Sequence, residues 1–176
     1  DPEPYMNNRR MFCPRGKMLG GSSSHNGMVH VRGNAMDFEN WAQKDLNSWN
    51  YNNVLPYFKK SESISGLDSK YRSDNGPLKL SRSSEGNVLS KVYLEAAEQA
   101  GYEINNDMNG YKQEGFGLMD TTIFGGKRQS TSVTYLHPII KRKNLKVITK
   151  TVVHKIMIKN NKAVGVEYSQ GERKEE

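Results

Sequence analysis

Apolar side chains recur three or four residues apart in several stretches of this chain, which is the spacing of one face of an α-helix. Phe38 and Trp41 follow Asn34, a residue type that caps helix N-termini, while Val88 and Val92 begin a run that stops at Gly101. The pattern therefore predicts helices over residues 34–42, 54–61, 88–100 and 130–140.

Short runs rich in β-branched and aromatic residues lie between these helices and after the last one. They predict strands over residues 78–80, 116–124, 145–151, 155–158 and 163–168. Gly125-Gly126 and Asn160-Asn161-Lys162 are turn sequences that would join neighbouring strands, and the polar residues 63–75 and 105–114 would form loops. This mixed order predicts an α/β (α+β) fold with an antiparallel sheet at its C-terminal end.

The composition predicts a small apolar core. Apolar residues make up 35% of the chain, which is low for a globular domain. A fragment without its partner segments would have this composition, and so would a protein with a very polar surface. No apolar run approaches the roughly 20 residues of a membrane-spanning helix, so we expect no membrane span.

Charge and cysteine content exclude several classes of protein. The net charge is +7, but no zinc-ligand spacing, aromatic RNA-binding motif or helix-turn-helix pattern accompanies it. We therefore expect a solvated charged surface and no nucleic-acid partner. Cys13 is the single cysteine, which excludes an internal disulfide and a multi-cysteine metal site, and we expect no bound metal.

Residues 15–28 are the segment richest in candidate chemistry. Gly20 and Gly21 allow a sharp turn and a close approach of the backbone to a ligand, and three serines follow them. If a helix began here, its free N–H groups would suit a diphosphate. The segment is neither a P-loop nor the Gly-x-Gly-x-x-Gly dinucleotide motif. From the residues alone, a ligand-binding loop and a plain Gly/Ser linker both remain open.

This segment and the sequence after it resemble the first signature of the glucose–methanol–choline (GMC) oxidoreductases, in particular their insect glucose-dehydrogenase-like branch. The first matching block is Pro14-Arg15-Gly16-Lys17-Met18-Leu19-Gly20-Gly21-Ser22-Ser23. Further matches are residues 26, 28, 31–34, 37–42, 49, 54–62, 126–132, 135–136 and 145–147. The resemblance covers effectively the whole chain, and its first block is highly specific.

The resemblance implies a domain organisation. We expect a partial FAD/NAD(P)-binding Rossmann-like domain plus the start of an antiparallel-sheet substrate-binding domain. Residues 1–62 would belong to the FAD-binding domain and would include the signature loop. Residues 63–127 would form a cap or substrate-side region, and residues 128–176 would return to the FAD-binding domain.

The resemblance also implies an FAD-dependent alcohol or glucose dehydrogenase or oxidase, which acts on CH–OH groups and transfers a hydride to flavin N5. The cofactor-binding residues implied by the match are Gly20, Gly21, Ser22, Asn26, Gly27, Val29 and Val153. The implied partners are a small-molecule alcohol or sugar and an electron acceptor, either quinone-like or oxygen. The insect-like resemblance further implies a secreted, extracellular protein.

His25 falls where some members of the family carry a histidine bonded covalently to the flavin. Insect-like members often have another residue there and bind FAD without a covalent bond. His25 is therefore either a covalent link or a histidine packed beside the flavin. We expect His137 and His154 to be structural or surface residues.

Three parts of the family's apparatus are absent from this sequence. These are the N-terminal Gly-x-Gly-x-x-Gly motif that holds the ADP part of FAD, the family's second signature, and the C-terminal catalytic histidine. We therefore assign no catalytic residue and expect an internal fragment that is inactive by itself. The alternatives are a catalytically inactive GMC-fold relative that acts as a secreted binding protein, and a plain basic binding module.

Overall fold

The computed structural model describes residues 2–83, 87–171 and 173–175, the last of these for the backbone alone. Within them the helices are α1 (Ala35–Ala42), α2 (Tyr51–Ser61) and α3 (Val88–Gln99). The strands are β1 (Pro2–Glu3), β2 (Arg9–Arg10), β3 (Val29–His30), β4 (Glu62–Ser63), β5 (Leu78–Lys79), β6 (Ser81–Arg82), β7 (Asp120–Thr121), β8 (Ile123–Phe124), β9 (Lys127–Arg128), β10 (Thr151–Lys159), β11 (Lys162–Gln170) and β12 (Arg173–Glu175). This mixture of helices and strands confirms the predicted α/β (α+β) class.

The chain forms two compact units, Asp1–Pro138 and Ile139–Glu176. The first unit holds the three helices and strands β1 to β9, and the second holds the antiparallel sheet of β10, β11 and β12. The boundaries predicted at residues 62/63 and 127/128 separate cofactor-side from substrate-side segments. They stay predictions.

The first two helices begin at asparagine caps. The Asn34 side chain accepts a hydrogen bond from the Met36 N–H at 2.9 Å, which confirms the predicted start of α1. Helix α2 begins earlier than predicted, because the side chain of Asn50 accepts from the Asn53 N–H at 2.9 Å. Pro56 consequently lies inside α2 and not near its start.

An aromatic cluster joins α1 to α2. Phe38 packs edge-on against Trp41 and Phe58, with ring centroids 5.5 and 5.7 Å apart. The Glu39 carboxylate accepts from the Tyr51 N–H at 3.0 Å, which fixes the start of α2 against α1. The helical spacing of Phe38 and Trp41 therefore marks a genuine packed face.

Strand β7 is the centre of a small antiparallel sheet. It pairs with β3 on one side and with β6 on the other. The strand predicted over residues 116–124 is shorter than expected, and only β7 and β8 form within it. The predicted turn at Gly125-Gly126 is confirmed, because both residues have positive φ angles and join β8 to β9.

The helix predicted over residues 130–140 is irregular. Ser130 caps it, since its Oγ accepts from the Val133 N–H at 3.3 Å. A π-helical turn (Ser132–Leu136) is followed by a 3₁₀ turn (His137–Ile139). Pro138 has no N–H to donate to the carbonyl of residue 134, so a regular α-helix cannot continue through it.

The second unit is a long hairpin with a third strand. Asn160 and Asn161 have φ angles of 51° and 58° and form the predicted turn between β10 and β11. Val153 lies on β10 opposite Tyr168. Residues 145–151 are mostly irregular where the sequence predicts a strand, and only Thr151 belongs to one.

Few apolar side chains are fully buried. Within residues 2–83 and 87–171, the buried apolar residues are Leu80 and Ala97. Nine buried residues of the same part of the chain are polar or charged, namely Arg32, Glu62, Ser63, Arg72, Asn109, Asp120, Ser130, Ser132 and Thr134. The small apolar core agrees with the composition. No helix in the described part of the chain is long and apolar enough to cross a membrane.

Candidate cofactor-binding loop

The glycine- and serine-rich segment forms a tight loop in the first unit. Gly20 and Gly21 have φ angles of 88° and 54°, in the left-handed region that glycine adopts without strain. A single 3₁₀ turn (Gly21–Ser24) follows them. The segment is therefore an ordered loop and not a linker. The regular helix that would have made it an anion site does not form.

Gly16 lies against this loop without room for a side chain. A Cβ atom at Gly16 would be 2.3 Å from the Gly21 carbonyl oxygen. The Gly16 N–H also donates to the Ser22 Oγ at 3.1 Å. The absence of a side chain at Gly16 thus lets the preceding segment close onto the loop.

Replacing Gly16 with alanine is expected to lower the free energy of unfolding by about 1–3 kcal/mol, because the added methyl group overlaps the Gly21 carbonyl. Gly27→Ala is the control, since no atom lies within 4 Å of a Cβ placed there. Hydrogen–deuterium exchange of the loop peptide would measure both effects. Wild-type protection in the Gly16→Ala variant would contradict the close packing.

A second set of contacts ties the loop to the segment after β9. The Thr131 N–H donates to the Ser23 Oγ at 2.9 Å, and the Ser23 hydroxyl donates to the Gly20 carbonyl at 2.5 Å. The Thr131 hydroxyl reaches the same carbonyl at 3.2 Å. The left-handed turn at Gly20 is thus fixed by residues more than one hundred positions later in the chain.

Arg128, on β9, holds the end of the loop. Its Nη1 donates to the Asn26 Oδ1 at 2.7 Å, to the Asn26 carbonyl at 2.8 Å and to the Ser23 carbonyl at 3.2 Å. The Met28 N–H also donates to the Asn26 Oδ1, at 3.1 Å. The Met28 carbonyl then accepts from the Thr122 N–H at 2.7 Å, which continues the loop into the sheet at β3.

The outer side of the loop is accessible. Ser22, His25, Asn26, Gly27 and Val29 are all exposed. A Cβ atom placed at Gly21 or at Gly27 would meet no atom within 4 Å, so a ligand has open space to approach the backbone there. The backbone at these two glycines is therefore open to solvent on the outer side of the loop.

The structure thus brings together Gly20, Gly21, Ser22, Asn26, Gly27 and Val29, the residues predicted for the first half of the site. The Ser22 hydroxyl already accepts from the Gly16 N–H, so its acceptor capacity is partly used inside the loop. Val153 belongs to the other compact unit. The cofactor roles of all these residues stay predictions.

The four histidines of the chain lie in different environments. His25 is exposed beside Asn26 on the outer side of the loop, so both interpretations of it stay open. The His137 Nε2 lies 3.3 Å from the Ser132 Oγ, and the His154 Nε2 lies 2.8 Å from the Ser169 Oγ. Within the described residues no group of three or more His, Cys, Asp or Glu could hold a metal ion.

Behind β3 lies a buried ionic cluster, which the sequence did not predict. Its members are Arg32, Glu62, Arg72, Asp107 and Asp120. The Glu62 Oε1 forms an ion pair with the Arg32 Nη2 at 2.7 Å and accepts a hydrogen bond from the Arg72 Nε at 2.8 Å. Arg72 also pairs with Asp120 at 2.7 Å and with Asp107. The sequence predicts a solvated charged surface, and that prediction is wrong for Arg32, Glu62, Arg72 and Asp120, which are buried.

Contacts with this cluster and with Asn109 hold β3, the strand that follows the loop, in place. The His30 Nε2 lies 3.4 Å from the Glu62 Oε2. Asn109 donates from its side chain to the His30 carbonyl at 3.0 Å and accepts from the Arg32 N–H at 2.8 Å. His30 and Arg32, which flank Val31, are therefore both hydrogen-bonded through their backbones to the buried Asn109 side chain, and these bonds set the position of β3.

The ionisation of Glu62 depends on these neighbours. Burial by itself would raise the pKa of the Glu62 carboxyl, because it disfavours the charged form. Hydrogen-bonding contacts with His30 and Arg72, together with the charge of Arg32, outweigh burial and lower the pKa from 4.5 to about 2. Glu62 is therefore a buried carboxylate that stays ionised well into the acidic range.

A family model described as GMC oxidoreductase matches residues 4–176. The match extends over nearly the whole chain and includes the loop, β3 and the hairpin that bears Arg128. The chain therefore belongs to the GMC oxidoreductase family, as its residues predicted.

Curated relatives of this chain include bacterial choline dehydrogenases. The oxygen-dependent choline dehydrogenase of Sinorhizobium fredii is 48% identical over 173 residues, which are 98% of this chain and 31% of that protein. The oxygen-dependent choline dehydrogenase of Brucella ovis is 47% identical over 171 residues, 97% of this chain and 31% of that protein. This chain thus spans about a third of the length of these relatives.

Solved structures show the same fold at lower identity. An FAD-dependent oxidoreductase from Chaetomium thermophilum matches with a TM-score of 0.86 and 24% identity, over 99% of this chain and 33% of that one. Pyridoxine 4-oxidase from Mesorbium loti matches with a TM-score of 0.83 and 24% identity, over 92% and 32% of the two chains. Membership of the GMC oxidoreductase family confirms the flavoprotein class and FAD as its cofactor. The insect glucose-dehydrogenase-like branch stays a prediction.

Proposed function

We propose that this chain forms part of the FAD site of an oxidoreductase that acts on CH–OH groups. The observation that carries the proposal is the loop of residues 20–27, which is held from inside by Arg128 and Thr131 and is exposed on its outer side. FAD, when bound, supplies the chemistry by accepting a hydride from the alcohol carbon. Family membership and the identities near 48% support the same activity.

The residues of this chain would bind and orient the cofactor. Gly21 and Gly27 leave the backbone accessible, so a planar ring can approach it without meeting a side chain. Val29 offers an apolar side chain beside that space, and Asn26 offers a polar one. His25 lies next to Asn26 and would either bond to the flavin or pack beside it.

The substrate is a small alcohol in this proposal, and two candidates differ in their support. A sugar such as glucose rests on the insect-like resemblance of the signature. Choline rests on the relatives at 47–48% identity, which bear the name choline dehydrogenase. Oxygen as the electron acceptor has the same support, since those relatives are called oxygen-dependent, and a quinone-like acceptor is the alternative.

The test is the flavin content and reduction of the complete gene product. We expect a yellow protein whose flavin is bleached anaerobically by choline or by glucose, each added separately. Bleaching by one alone would identify the substrate class. A protein without flavin, or with a flavin that no alcohol reduces, would contradict the proposal and favour an inactive binding protein of the same fold.

In that complete protein, Asn26→Leu is expected to weaken FAD retention or slow flavin reduction. Leucine removes the side-chain acceptor that bonds to Arg128 and Met28, and it also removes the exposed polar group. Losing a hydrogen bond to a charged group costs about 1.5–3 kcal/mol. Flavin absorbance per protein after gel filtration measures retention. Unchanged flavin content and turnover would remove Asn26 from the site.

A further inference from the structure

The side-chain amide of Asn26 has a fixed orientation. Its Oδ1 lies 2.7 Å from the Arg128 Nη1 and 3.1 Å from the Met28 backbone nitrogen. A guanidinium and a backbone N–H can only donate, so the atom that faces them must be the oxygen of the amide. The amide nitrogen of Asn26 therefore occupies the other branch of this exposed side chain.

Arg128 is well placed to hold that orientation. One of its nitrogens contacts three oxygens of the loop, two from Asn26 and one from Ser23. Its side chain is half-buried and extends from a hairpin whose turn is formed by Gly125 and Gly126. The arrangement combines a charge-assisted bond with a rigid support, which limits rotation of the Asn26 side chain.

We infer that Arg128 is a positioning residue which turns the Asn26 amide so that its NH₂ group, and not its oxygen, is presented to the bound flavin. The inference rests on the proposed function. It assigns Asn26 as a hydrogen-bond donor, so its partner must be an acceptor atom of the cofactor, such as a carbonyl oxygen or an unprotonated ring nitrogen. Arg128 would act on the cofactor through Asn26, so it is a positioning residue and not a catalytic one.

Asn26→Asp separates the two roles of Asn26. A carboxylate keeps an acceptor for Arg128 and Met28, so the loop should stay in place and thermal stability should not fall. The outward atom, however, becomes an acceptor in place of a donor. We expect the apoprotein of the complete gene product to bind FAD roughly 10- to 100-fold more weakly, the factor that corresponds to losing one strong hydrogen bond.

The variant Arg128→Met tests whether Arg128 holds the Asn26 amide in its orientation. The Asn26 amide then loses its charged partner, and we expect FAD to bind at least about tenfold more weakly, with an altered visible circular dichroism of the bound flavin. Added guanidinium ion should restore part of the affinity by filling the vacated space. Lys127→Met is the matched control, because it removes the same charge from the neighbouring exposed residue. It should leave FAD affinity and the flavin spectrum unchanged.

The outcomes distinguish this inference from the proposed function. FAD bound by the wild-type protein but equally well by Asn26→Asp would overturn the donor role alone. Loss of thermal stability in Arg128→Met with unchanged affinity and flavin spectrum would reduce Arg128 to a structural residue and also overturn the inference. A wild-type protein that binds no FAD would overturn both.

Discussion

Replacing Glu62 with glutamine is expected to lower the free energy of unfolding by about 3–5 kcal/mol, the cost of removing one partner from a buried ion pair. The Glu62 side chain is fully buried and contacts Arg32 and Arg72, which are 5% and 1% exposed. Elsewhere in the described part of the chain, Arg32 contacts neutral groups, including the Tyr71 and Asn109 carbonyls. Glutamine would therefore leave a buried guanidinium without a carboxylate.

Hydrogen–deuterium exchange of peptides that cover residues 30–36 and 70–75 would measure this loss where it arises. Glu98→Gln is the matched control, because Glu98 is an exposed residue of α3 and surface changes of this kind stay within about 0.5 kcal/mol. Equal protection of these peptides in both variants would show that the cluster contributes no stability.

Acid is expected to destabilise the same region by about 3 kcal/mol through Glu62. The pKa of the Glu62 carboxyl is lowered from 4.5 to about 2 in the folded chain, so the folded state binds the proton less tightly than the unfolded state. Its contribution to stability is complete above pH 4.5 and is lost as the pH falls through 2. A carboxyl whose pKa is 4.5 in the unfolded chain and about 2 in the folded one contributes on the order of 3 kcal/mol to stability.

Thermal unfolding between pH 6 and pH 2.5 would test this dependence. The wild-type protein should lose stability more steeply below pH 4.5 than Glu62→Gln, which has no proton to bind at that position. Glu98→Gln should follow the wild-type curve. Parallel curves for the wild type and Glu62→Gln would refute the assigned ionisation of Glu62.

Local signals were enough to predict much of the secondary structure. Asn34 begins α1 because its side chain accepts an N–H two residues later, and this interaction is readable from the residue type. The turns at Gly125-Gly126 and Asn160-Asn161 formed where residues tolerant of positive φ stand in pairs. In each case the decisive contact spans a few residues.

Features that depend on distant contacts were missed or only partly predicted. The buried ionic cluster joins residues 32, 62, 72, 107 and 120, and no pattern within a short window relates those charges. Arg128 belongs to the segment that carries the family resemblance, but its role became clear only from its contacts with Asn26 and Ser23. The sequence was enough to identify the loop, but not the residues that hold it in place.

The ribosome synthesises the loop well before Arg128 and Thr131, the residues that hold it in place. Arg128 follows Asn26 by 102 residues, and Thr131 follows Ser23 by 108. At roughly 5–20 residues per second, the ribosome would deliver the loop about 5–20 s before the residues that brace it. The hydrogen bonds from Arg128 and Thr131 therefore form only after β9 has been made, whereas the local bonds of the loop, such as the one from the Gly16 N–H to the Ser22 hydroxyl, need no later residue.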